Sequence, residues 1–392
     1  MQTLRLKPGA EKRILRGHRW IFSNEIASPL KDYAPGSWVE VQSARGASLG
    51  SGYINPNSLI SVRLVCPPGR NPDRDFFGAL LHRADRLRSQ VLYPQSPCYR
   101  MVFAESDGLP GLVVDRYSDV LVYQIATLGM AMMEDLIREL LIDLFRPQVL
   151  IFRNDSRLRL LENLPLETGV AFGSVPERIE ISVDGVRMLT DPLKGQKTGS
   201  YLDQRDNRAA LSPWTGGKRV LDLFCYNGAW GLYAARGGAA EVIGVDQSRQ
   251  AIELAQDGAV RNGFEGVCRF VQQDVLRFLK EARRESFDII ILDPPAYAKT
   301  KKALPEALKG YIDINRRALL ALKPDGLLVT CSCSYHLSDD MFQQVLLQAA
   351  QACNRRLRIL EARGQAKDHP VLLAMPETRY LKCLFLEAGQ AG

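Results

Sequence analysis

Over roughly the first 65 residues, hydrophobic and polar positions alternate in short runs, and this period of two is typical of β-strands. Glycine and proline separate the runs, and the clearest strands are predicted at residues 38–41, 49–53 and 59–65. Several short strands with regular breaks favour a small β-barrel. A loop-rich linker with three prolines follows at residues 66–73.

The next stretch mixes both periodicities. Leu80, Leu81, Ala84 and Leu87 fall on one face and predict a helix from residue 76 to about 92, and a second helix is predicted at about 131–145. Strands are predicted at 99–103, 111–116, 120–125, 149–152, 179–183 and 186–189. Asp184-Gly185 lies between the last two strands and is typical of a tight hairpin turn.

From about residue 190 the pattern becomes strand, glycine loop and helix, repeated. Strands are predicted at 219–223, 241–245, 268–271, 287–292, 327–331 and 380–386, with helices between them, such as 251–262 and 313–322. This order predicts an α/β fold with a doubly wound, mostly parallel sheet and ligand sites at the carboxyl ends of its strands. We therefore expect three domains, at residues 1–72, 73–185 and 186–392.

Length and charge agree with this division. The chain has 392 residues, of which 46% are hydrophobic and 24% charged, as in soluble globular proteins of two or three domains. Its net charge of +7 favours a polyanionic partner. The excess near the N-terminus includes Lys12, Arg13, Arg16 and Arg19, which are candidate RNA-binding residues or simply a solvated charged face. Trp20 beside them could stack on RNA bases or belong to the core.

The cysteines exclude two common classes of site. Eight are present, with no CxxC pair and no regular spacing, so the chain has neither a disulfide framework nor a zinc pattern. Reduced thiols are typical of the cytoplasm, where we expect the protein. We predict no metal site, and without an apolar signal core or membrane-spanning run we predict no membrane association.

Three aspartates follow strands around one predicted pocket. Asp222 ends the strand before the turn that contains Gly228, Asp246 ends the next strand, and Asp274 follows the third. They suit, in order, an amino-acid ammonium group, the hydroxyls of a ribose and an adenine amino group. A dinucleotide site would instead show a full glycine fingerprint and few carboxylates. The set predicts S-adenosylmethionine as the cofactor, although any one of these aspartates could be a helix cap.

A thiol and an acid lie at the ends of two later strands. Cys333 follows the strand at 327–331, and Asp293 begins Asp-Pro-Pro after the strand at 287–292. A thiolate that adds to C6 of a pyrimidine makes C5 nucleophilic, and an acid near N3 stabilises the resulting charge. The pair therefore indicates methylation at C5, unless Cys333 is a buried structural cysteine.

These motifs resemble those of the large-subunit ribosomal RNA cytosine-5 methyltransferases of the RlmI type, and the resemblance runs nearly end to end. It is carried by seven segments, one of which lies at residues 195–205 and contains the most specific run, Lys-Thr-Gly-Ser-Tyr-Leu-Asp-Gln-Arg at 197–205. The others lie at 19–23, 105–111, 293–295, 310–315, 332–334 and 368–370. The resemblance implies an N-terminal PUA-like RNA-binding domain, a central α/β domain and a C-terminal Rossmann-like, S-adenosylmethionine-dependent methyltransferase domain.

The resemblance also implies residue roles. Cys333 matches the nucleophile, Asp293 the acid on the target base, and Pro294 a carbonyl that accepts from the exocyclic amine. The positions that match cofactor-binding residues are Asp222, Phe224, Gly228, Asp246, Asp274, Gln196, Lys197, Tyr201 and Gln204. Pro295 stands where many RNA cytosine-5 methyltransferases have a second cysteine, which leaves the base that removes the C5 proton open, with Cys331 as one substitute.

Two other functions compete with C5 methylation of a cytosine in 23S rRNA. An exocyclic-amine methyltransferase acting on an rRNA purine would use Asp-Pro-Pro without a thiol, and a non-catalytic RNA-binding ribosome assembly factor would use neither. The expected partner is 23S rRNA or a precursor of the large ribosomal subunit, and a homodimer stays open. His369 either orients a catalytic group or fixes a loop, and Arg205 contacts phosphate, caps a helix or pairs with Asp203.

Overall fold

The computed structural model describes residues 1–298 and 300–390, which fall into two compact units. Unit 1 comprises Met1–Ile179, Asp191–Leu202 and Lys367–Thr378, and unit 2 comprises Glu180–Thr190, Asp203–Ala366 and Arg379–Gly392. The proposed three-domain boundaries stay a prediction. In the described parts of the chain, no helix combines the length and the hydropathy that a bilayer crossing requires.

Unit 1 contains two five-stranded sheets. Its strands are β1 (Gln2–Arg5), β2 (Trp20–Phe22), β3 (Trp38–Gln42), β4 (Ser48–Ile54), β5 (Ile60–Cys66), β6 (Cys98–Phe103), β7 (Leu112–Tyr117), β8 (Val120–Ile125), β9 (Val149–Asn154) and β10 (Glu167–Phe172). Its α-helices are α1 (Glu11–Leu15), α2 (Arg74–Arg86), α3 (Leu128–Ala131) and α4 (Glu134–Phe145). The predicted helix from residue 76 continues beyond α2 as a π-helical segment, Leu87–Leu92.

The first sheet has the order β1-β3-β4-β5-β2 and the second β10-β9-β8-β7-β6. The three strands predicted before residue 66 are confirmed as β3, β4 and β5. Their inward residues, such as Val39, Val41 and Val62, form one apolar core. A larger core lies between the second sheet and the helices α2 and α4, and the predicted strands of this region are confirmed.

Apart from Ile179, the hairpin of β11 (Ile179–Val183) and β12 (Val186–Thr190) belongs to unit 2. Its turn residues Asp184 and Gly185 have φ angles of 52° and 79°, which the Asp-Gly pair tolerates, so the predicted turn is confirmed. Further strands are β13 (Arg219–Leu223), β14 (Glu241–Asp246), β15 (Cys268–Gln272), β16 (Phe287–Leu292), β17 (Leu322–Ser332), β18 (Arg355–Arg363) and β19 (Lys382–Gln390). The α-helices are α5 (Arg205–Leu211), α6 (Ala229–Arg236), α7 (Arg249–Asn262), α8 (Val275–Glu281), α9 (Leu304–Ala321) and α10 (Asp339–Gln351).

The seven later strands form one sheet in the order β15-β14-β13-β16-β17-β19-β18. Neighbours from β15 to β17 are parallel, whereas β19 and β18 are antiparallel, which confirms the mostly parallel, doubly wound sheet. The strand order reverses between β13 and β16. Ligands of such sheets bind beyond the carboxyl ends of the strands at this reversal.

The edge strand β18 is absent from the sequence-based prediction. Its segment contains four arginines, and most of its residues are exposed or half-buried. Charged side chains on an edge strand discourage pairing with other chains. They also remove the apolar run by which the other strands of this sheet were recognised.

Candidate active site

Asp222, at the end of β13, is fully buried beside the reversal point of the sheet. Its Oδ2 accepts a hydrogen bond from Gly231 N at 2.9 Å, while among the described residues its Oδ1 has no partner. Burial raises the pKa of Asp222 to about 8, the Gly231 N–H lowers it, and the charges of Asp293 and Asp246 raise it further. Within the described part of the chain, no hydrogen-bond donor lies at Oδ1 to offset this effect of burial.

The loop after β13 is held in an unusual backbone conformation. Phe224, Tyr226 and Gly228 have φ angles of 61°, 49° and 73°. A Cβ on Gly228 would lie 2.7 Å from Cζ of Phe270 and 2.8 Å from Cβ of Ala255, so this position requires glycine for space as well as for φ. Left-handed non-glycine residues cost about 1–3 kcal/mol each and cluster at ligand sites.

The two other aspartates of the acidic series are held by backbone groups. Asp246 is half-buried; its Oδ2 accepts from Tyr226 N at 3.0 Å and its Oδ1 from Ser248 N at 2.9 Å. Asp274 is exposed and caps α8 by accepting from Arg277 N at 2.9 Å. The helix-cap alternative is therefore realised for Asp274, and the cofactor role of both residues stays a prediction.

Asp293, directly after β16, is oriented by two side chains. Its Oδ2 accepts from Gln204 Nε2 at 3.0 Å and from Trp230 Nε1 at 3.1 Å. Gln204 was predicted only as a cofactor-binding residue, and Trp230, which is 4% exposed, was not predicted at all. The one sequence signal for Trp230 is its place in the first turn of α6, right after the glycine loop.

The two cysteines at the end of β17 have different surroundings. Cys331 is fully buried and pairs in register with Cys383 of β19, whereas Cys333 lies just beyond the strand and is half-buried. Burial raises the pKa of Cys331 well above its ordinary value, and the neighbouring Cys383 and Asp293 raise it further. Cys333 is therefore the thiol of this pair that a substrate can reach.

A network of hydroxyl groups fixes the backbone on both sides of Cys333. The Tyr311 hydroxyl lies 3.0 Å from Oγ of Ser332 and 3.0 Å from Oγ of Ser334, and Ser334 N donates to Ser332 Oγ at 3.2 Å. One turn further along α9, Asn315 Oδ1 accepts from Thr330 Oγ1 at 2.8 Å. These partners belong to the 310–315 segment, whose role was not predicted.

Lys382, the first residue of β19, is a buried cation at the same strand end. It is 7% exposed, and its Nζ donates to Ser334 O at 3.1 Å and Tyr380 O at 3.2 Å. Burial lowers the pKa of Lys382, while the nearby Asp339 and Cys333 raise it. Lys382 and Cys333 therefore lie close enough for their charges to interact. The sequence signal for Lys382 is a single lysine in the otherwise apolar strand predicted at residues 380–386.

Comparison with known proteins identifies the family. Two models match parts of the chain: a PUA-like domain at residues 4–67 and a methyltransferase domain at residues 215–372. The ribosomal RNA large subunit methyltransferase I of Aeromonas hydrophila is 41% identical, with 98% of this chain and 99% of that protein covered. The protein of the same name from Shewanella frigidimarina is 40% identical over 97% of this chain and 98% of its own length. The chain belongs to the ribosomal RNA large subunit methyltransferase I family.

Solved structures agree with the fold of this family. A SAM-dependent methyltransferase from Streptococcus mutans has a TM-score of 0.84 at 22% identity, with 99% of this chain and 100% of that chain covered. A methyltransferase complexed with SAH has a TM-score of 0.85 at the same 22% identity, with the same coverage. At this identity the likeness shows the fold, and both structures share it over nearly their whole length.

Three of the residues predicted to bind the cofactor lie in unit 1, and their contacts within that unit are as follows. Lys197, with a φ angle of 52°, places its Nζ 4.2 Å from the ring centroid of Tyr201, whose hydroxyl donates to Gln196 Oε1. The buried Thr198 between them donates to Asp115 and anchors the segment. The cofactor-binding role of Gln196, Lys197 and Tyr201 stays a prediction.

Some of the N-terminal basic residues are exposed to solvent, whereas others interact with neighbouring side chains. Lys12 and Arg16 are exposed. Arg13 forms a salt bridge with Glu25 at 2.7 Å and lies 4.8 Å over the ring of Phe22, which is a structural use of its guanidinium. Trp20 is half-buried and donates from Nε1 to Glu105 at 2.9 Å. Their RNA-binding role stays a prediction.

Hydrogen bonds show the structural roles of His369 and Arg205, for which the sequence left alternatives open. The buried His369 lies with its Nδ1 2.7 Å from Asp368 Oδ1, and Asp368 Oδ2 accepts from Arg100 N at 2.8 Å, so the pair fixes a loop of unit 1. Arg205 pairs with Asp184 of the β11–β12 turn, with Nε 3.0 Å from Oδ2. The tight hairpin turn places Asp184 beside α5, so Arg205 forms an ion pair with Asp184, and the suggested pairing with Asp203 stays a prediction.

Proposed function

We propose that the chain methylates C5 of a cytosine in 23S rRNA, with S-adenosylmethionine as the methyl donor and a covalent bond between Cys333 and C6 as the intermediate. The observation that carries the proposal is the half-buried Cys333 beyond β17, next to the parallel strand β16 that ends at Asp293. Membership of the large subunit methyltransferase I family supports the rRNA substrate.

The donor half of the site fits a cationic nucleoside. The unpartnered Oδ1 of Asp222 suits an ammonium group, since a buried carboxylate needs a cation or donors. Asp246 at the end of β14 suits ribose hydroxyls, and Asp274 after β15 suits the adenine amine. When bound, S-adenosylmethionine supplies an electrophilic methyl group. The chain supplies orientation and the negative charge that matches the donor.

The acceptor half makes C5 nucleophilic. The Cys333 sulfur gives an electron pair to C6, the C5–C6 double bond opens, and electron density moves to C5. Lys382 stabilises the thiolate before the addition. Asp293, held by Gln204 and Trp230, stabilises the charge that develops at N3. The Pro294 carbonyl accepts from the exocyclic amine and selects cytosine.

Release of the methylated cytosine from Cys333 requires a base. Once C5 carries the methyl group, its proton leaves, the electron pair restores the C5–C6 double bond, and the C6–S bond breaks to return the thiolate. A second cysteine is absent after Pro294, where Pro295 stands. The raised pKa of Cys331 leaves it protonated at neutral pH, so it is a poor proton acceptor.

Mass spectrometry of nucleosides tests this function. Purified protein and S-adenosylmethionine are incubated with 23S rRNA from a strain that lacks the gene, and 5-methylcytidine is the expected product. Cys333→Ala should give none, while Cys353→Ala, which changes another half-buried cysteine, should match the wild type. A methylated purine amine would establish the exocyclic-amine alternative. Binding of rRNA without any product would support the assembly-factor alternative.

A further inference from the structure

Unit 1 contains an open pocket of about 640 Å³, a size in the range of ligand sites. One wall is formed by α2 and the π-helical segment Leu87–Leu92. The other walls are the turn at residues 106–108 and the side chains of Pro370 and Leu372. None of the residues that carry the proposed methyl transfer lines it.

The lining of this pocket has an excess of positive charge. Arg19, Arg83 and Arg86 line it, and within residues 1–298 and 300–390 none of the three forms a salt bridge. Asp107 is the one acidic side chain in the lining, and it is engaged by the buried Arg88 at 2.6 and 2.9 Å. Like charges that share a pocket repel, so the arrangement favours an anionic ligand.

Arg19 is the clearest candidate for contact with an anion, because its guanidinium is half-buried yet forms few hydrogen bonds. Its one recorded hydrogen bond among the described residues runs from Nη1 to Val65 O at 3.5 Å, which leaves most of its five N–H donors for a ligand or water. Burial lowers the pKa of Arg19, the nearby Glu105 raises it, and Arg83 lowers it. A phosphate group would relieve the repulsion between the two arginines.

The walls of the pocket are held in place by a buried ion pair. Arg88 is fully buried and joins the π-helical segment to Asp107, and its Nη2 also donates to Asp368 O at 2.8 Å. Asp107 in turn accepts from Phe103 N at 2.6 Å. These bonds connect three chain segments around the pocket, so its shape is built into the fold. Segments of π-helix are frequent at functional sites.

The pocket also offers apolar surface beside the arginines. Leu87 is 37% exposed and Val91 is 69% exposed, and both follow Arg83 at spacings of four residues along one helical face. A ligand that combines phosphate groups with flat, largely apolar faces would contact both parts. Nucleotides of single-stranded RNA have this combination, and proteins bind them with basic grooves and apolar or aromatic contacts.

We infer that this pocket binds a single-stranded segment of the rRNA substrate, with phosphates at Arg19, Arg83 and Arg86 and a base or ribose against Leu87 and Val91. The inference rests on the proposed rRNA substrate and adds a binding site outside the N-terminal basic segment, apart from Arg19. It predicts that the central part of the chain contributes directly to RNA affinity.

The test compares two double variants in the full-length protein. Arg83→Gln with Arg86→Gln removes two charges from the pocket, whereas Arg283→Gln with Arg284→Gln removes two exposed charges from the turn before β16. Binding of deproteinised 23S rRNA is measured over a range of salt concentrations. The pocket variant should bind roughly tenfold more weakly, and its log–log salt slope should fall by about 1 for each arginine. The turn variant should behave like the wild type, and so should Arg83→Lys with Arg86→Lys.

Chemical protection localises the contact. Phenylglyoxal modification of each arginine is followed by mass spectrometry with 23S rRNA, with inorganic phosphate and with neither. The rRNA should protect Arg83 and Arg86 but not Arg283 and Arg284. Inorganic phosphate, at a concentration equal to that of the phosphate groups in the rRNA, should protect much less. Equal protection by phosphate would reduce the pocket to a general anion site. Unchanged affinity and slope in the pocket variant would also overturn the inference, whereas pocket-dependent binding without 5-methylcytidine would overturn only the proposed reaction.

Discussion

The carboxyl ends of the parallel strands in the large sheet form two halves of the candidate site, and these halves are built differently. In the donor half, at β13 and β14, carboxylates are held by backbone N–H groups, such as Gly231 of α6 for Asp222 and Tyr226 for Asp246. In the acceptor half, at β16 and β17, the reactive groups are held by side chains from distant segments, such as Gln204 and Trp230 for Asp293. The donor half is therefore held by backbone groups at most 20 residues away, whereas the side chains that hold Asp293 lie 63 and 89 residues away.

This difference predicts that the two halves can be damaged separately. Substitutions in the acceptor half should lower turnover and leave donor binding nearly intact. Substitutions in the donor half should weaken donor binding first. The following variants test this separation, from the largest expected effect to the smallest.

Asp293→Ala should have the largest of these effects. Removal of the carboxyl takes away the charge stabilisation at the base and leaves the Gln204 and Trp230 donors without their shared acceptor. We expect kcat to fall roughly 10²–10⁴-fold, the usual contribution of a positioned acid or base. Calorimetric affinity for S-adenosylmethionine should stay within about fivefold of wild type. A large loss of donor affinity with little change in kcat would contradict the separation.

Asp222→Asn should weaken donor binding and change its pH dependence. The raised pKa of about 8 means that Asp222 is largely protonated at pH 7 and must lose its proton to bind a cation. Wild-type affinity should therefore rise with pH up to about 8, and binding at pH 7 should release most of one proton. Calorimetry in buffers of different ionisation enthalpy measures this release, which should disappear in the variant.

Asp246→Ala is the matched control for Asp222→Asn. It should weaken donor binding by about 1–3 kcal/mol through lost hydrogen bonds. A proton should still be released, in a smaller amount, because the Asp246 charge no longer raises the pKa of Asp222. If the release persisted in Asp222→Asn, the titrating group would be another residue and the assignment of Asp222 to the ammonium group would fail.

Lys382→Met should have the smallest of these effects. Without the ammonium group, the thiolate of Cys333 is less favoured, so iodoacetamide should modify Cys333 severalfold more slowly at neutral pH. The difference should vanish at high pH, where the thiol ionises without help. Lys382→Arg should restore the rate, and the rate at Cys353 should not change. Equal rates at Cys333 in the wild type, Lys382→Met and Lys382→Arg would show that Lys382 does not affect the reactivity of the nucleophile.

The same contrast explains what the sequence could predict. The parallel sheet, its strand-end aspartates and the Asp-Gly hairpin follow from periodicity and turn chemistry over a few neighbouring residues. Trp230, Tyr311 and Lys382 were missed, because each acts through a partner at least 20 residues away. Sequence also left the direction of Cys331 open, and only its pairing with Cys383 across β17 and β19 shows that it faces the interior.

The central claim is the bond between Cys333 and C6 of the target cytosine, and trapping with 5-fluorocytosine tests it most directly. A fluorine at C5 cannot leave as a proton does, so the wild-type protein should form a denaturant-stable adduct with substituted 23S rRNA in the presence of S-adenosylmethionine. Cys331→Ala should still form the adduct, and Cys333→Ala should form none and methylate no rRNA. An adduct that persists in Cys333→Ala, or near-normal turnover of that variant, would contradict the account.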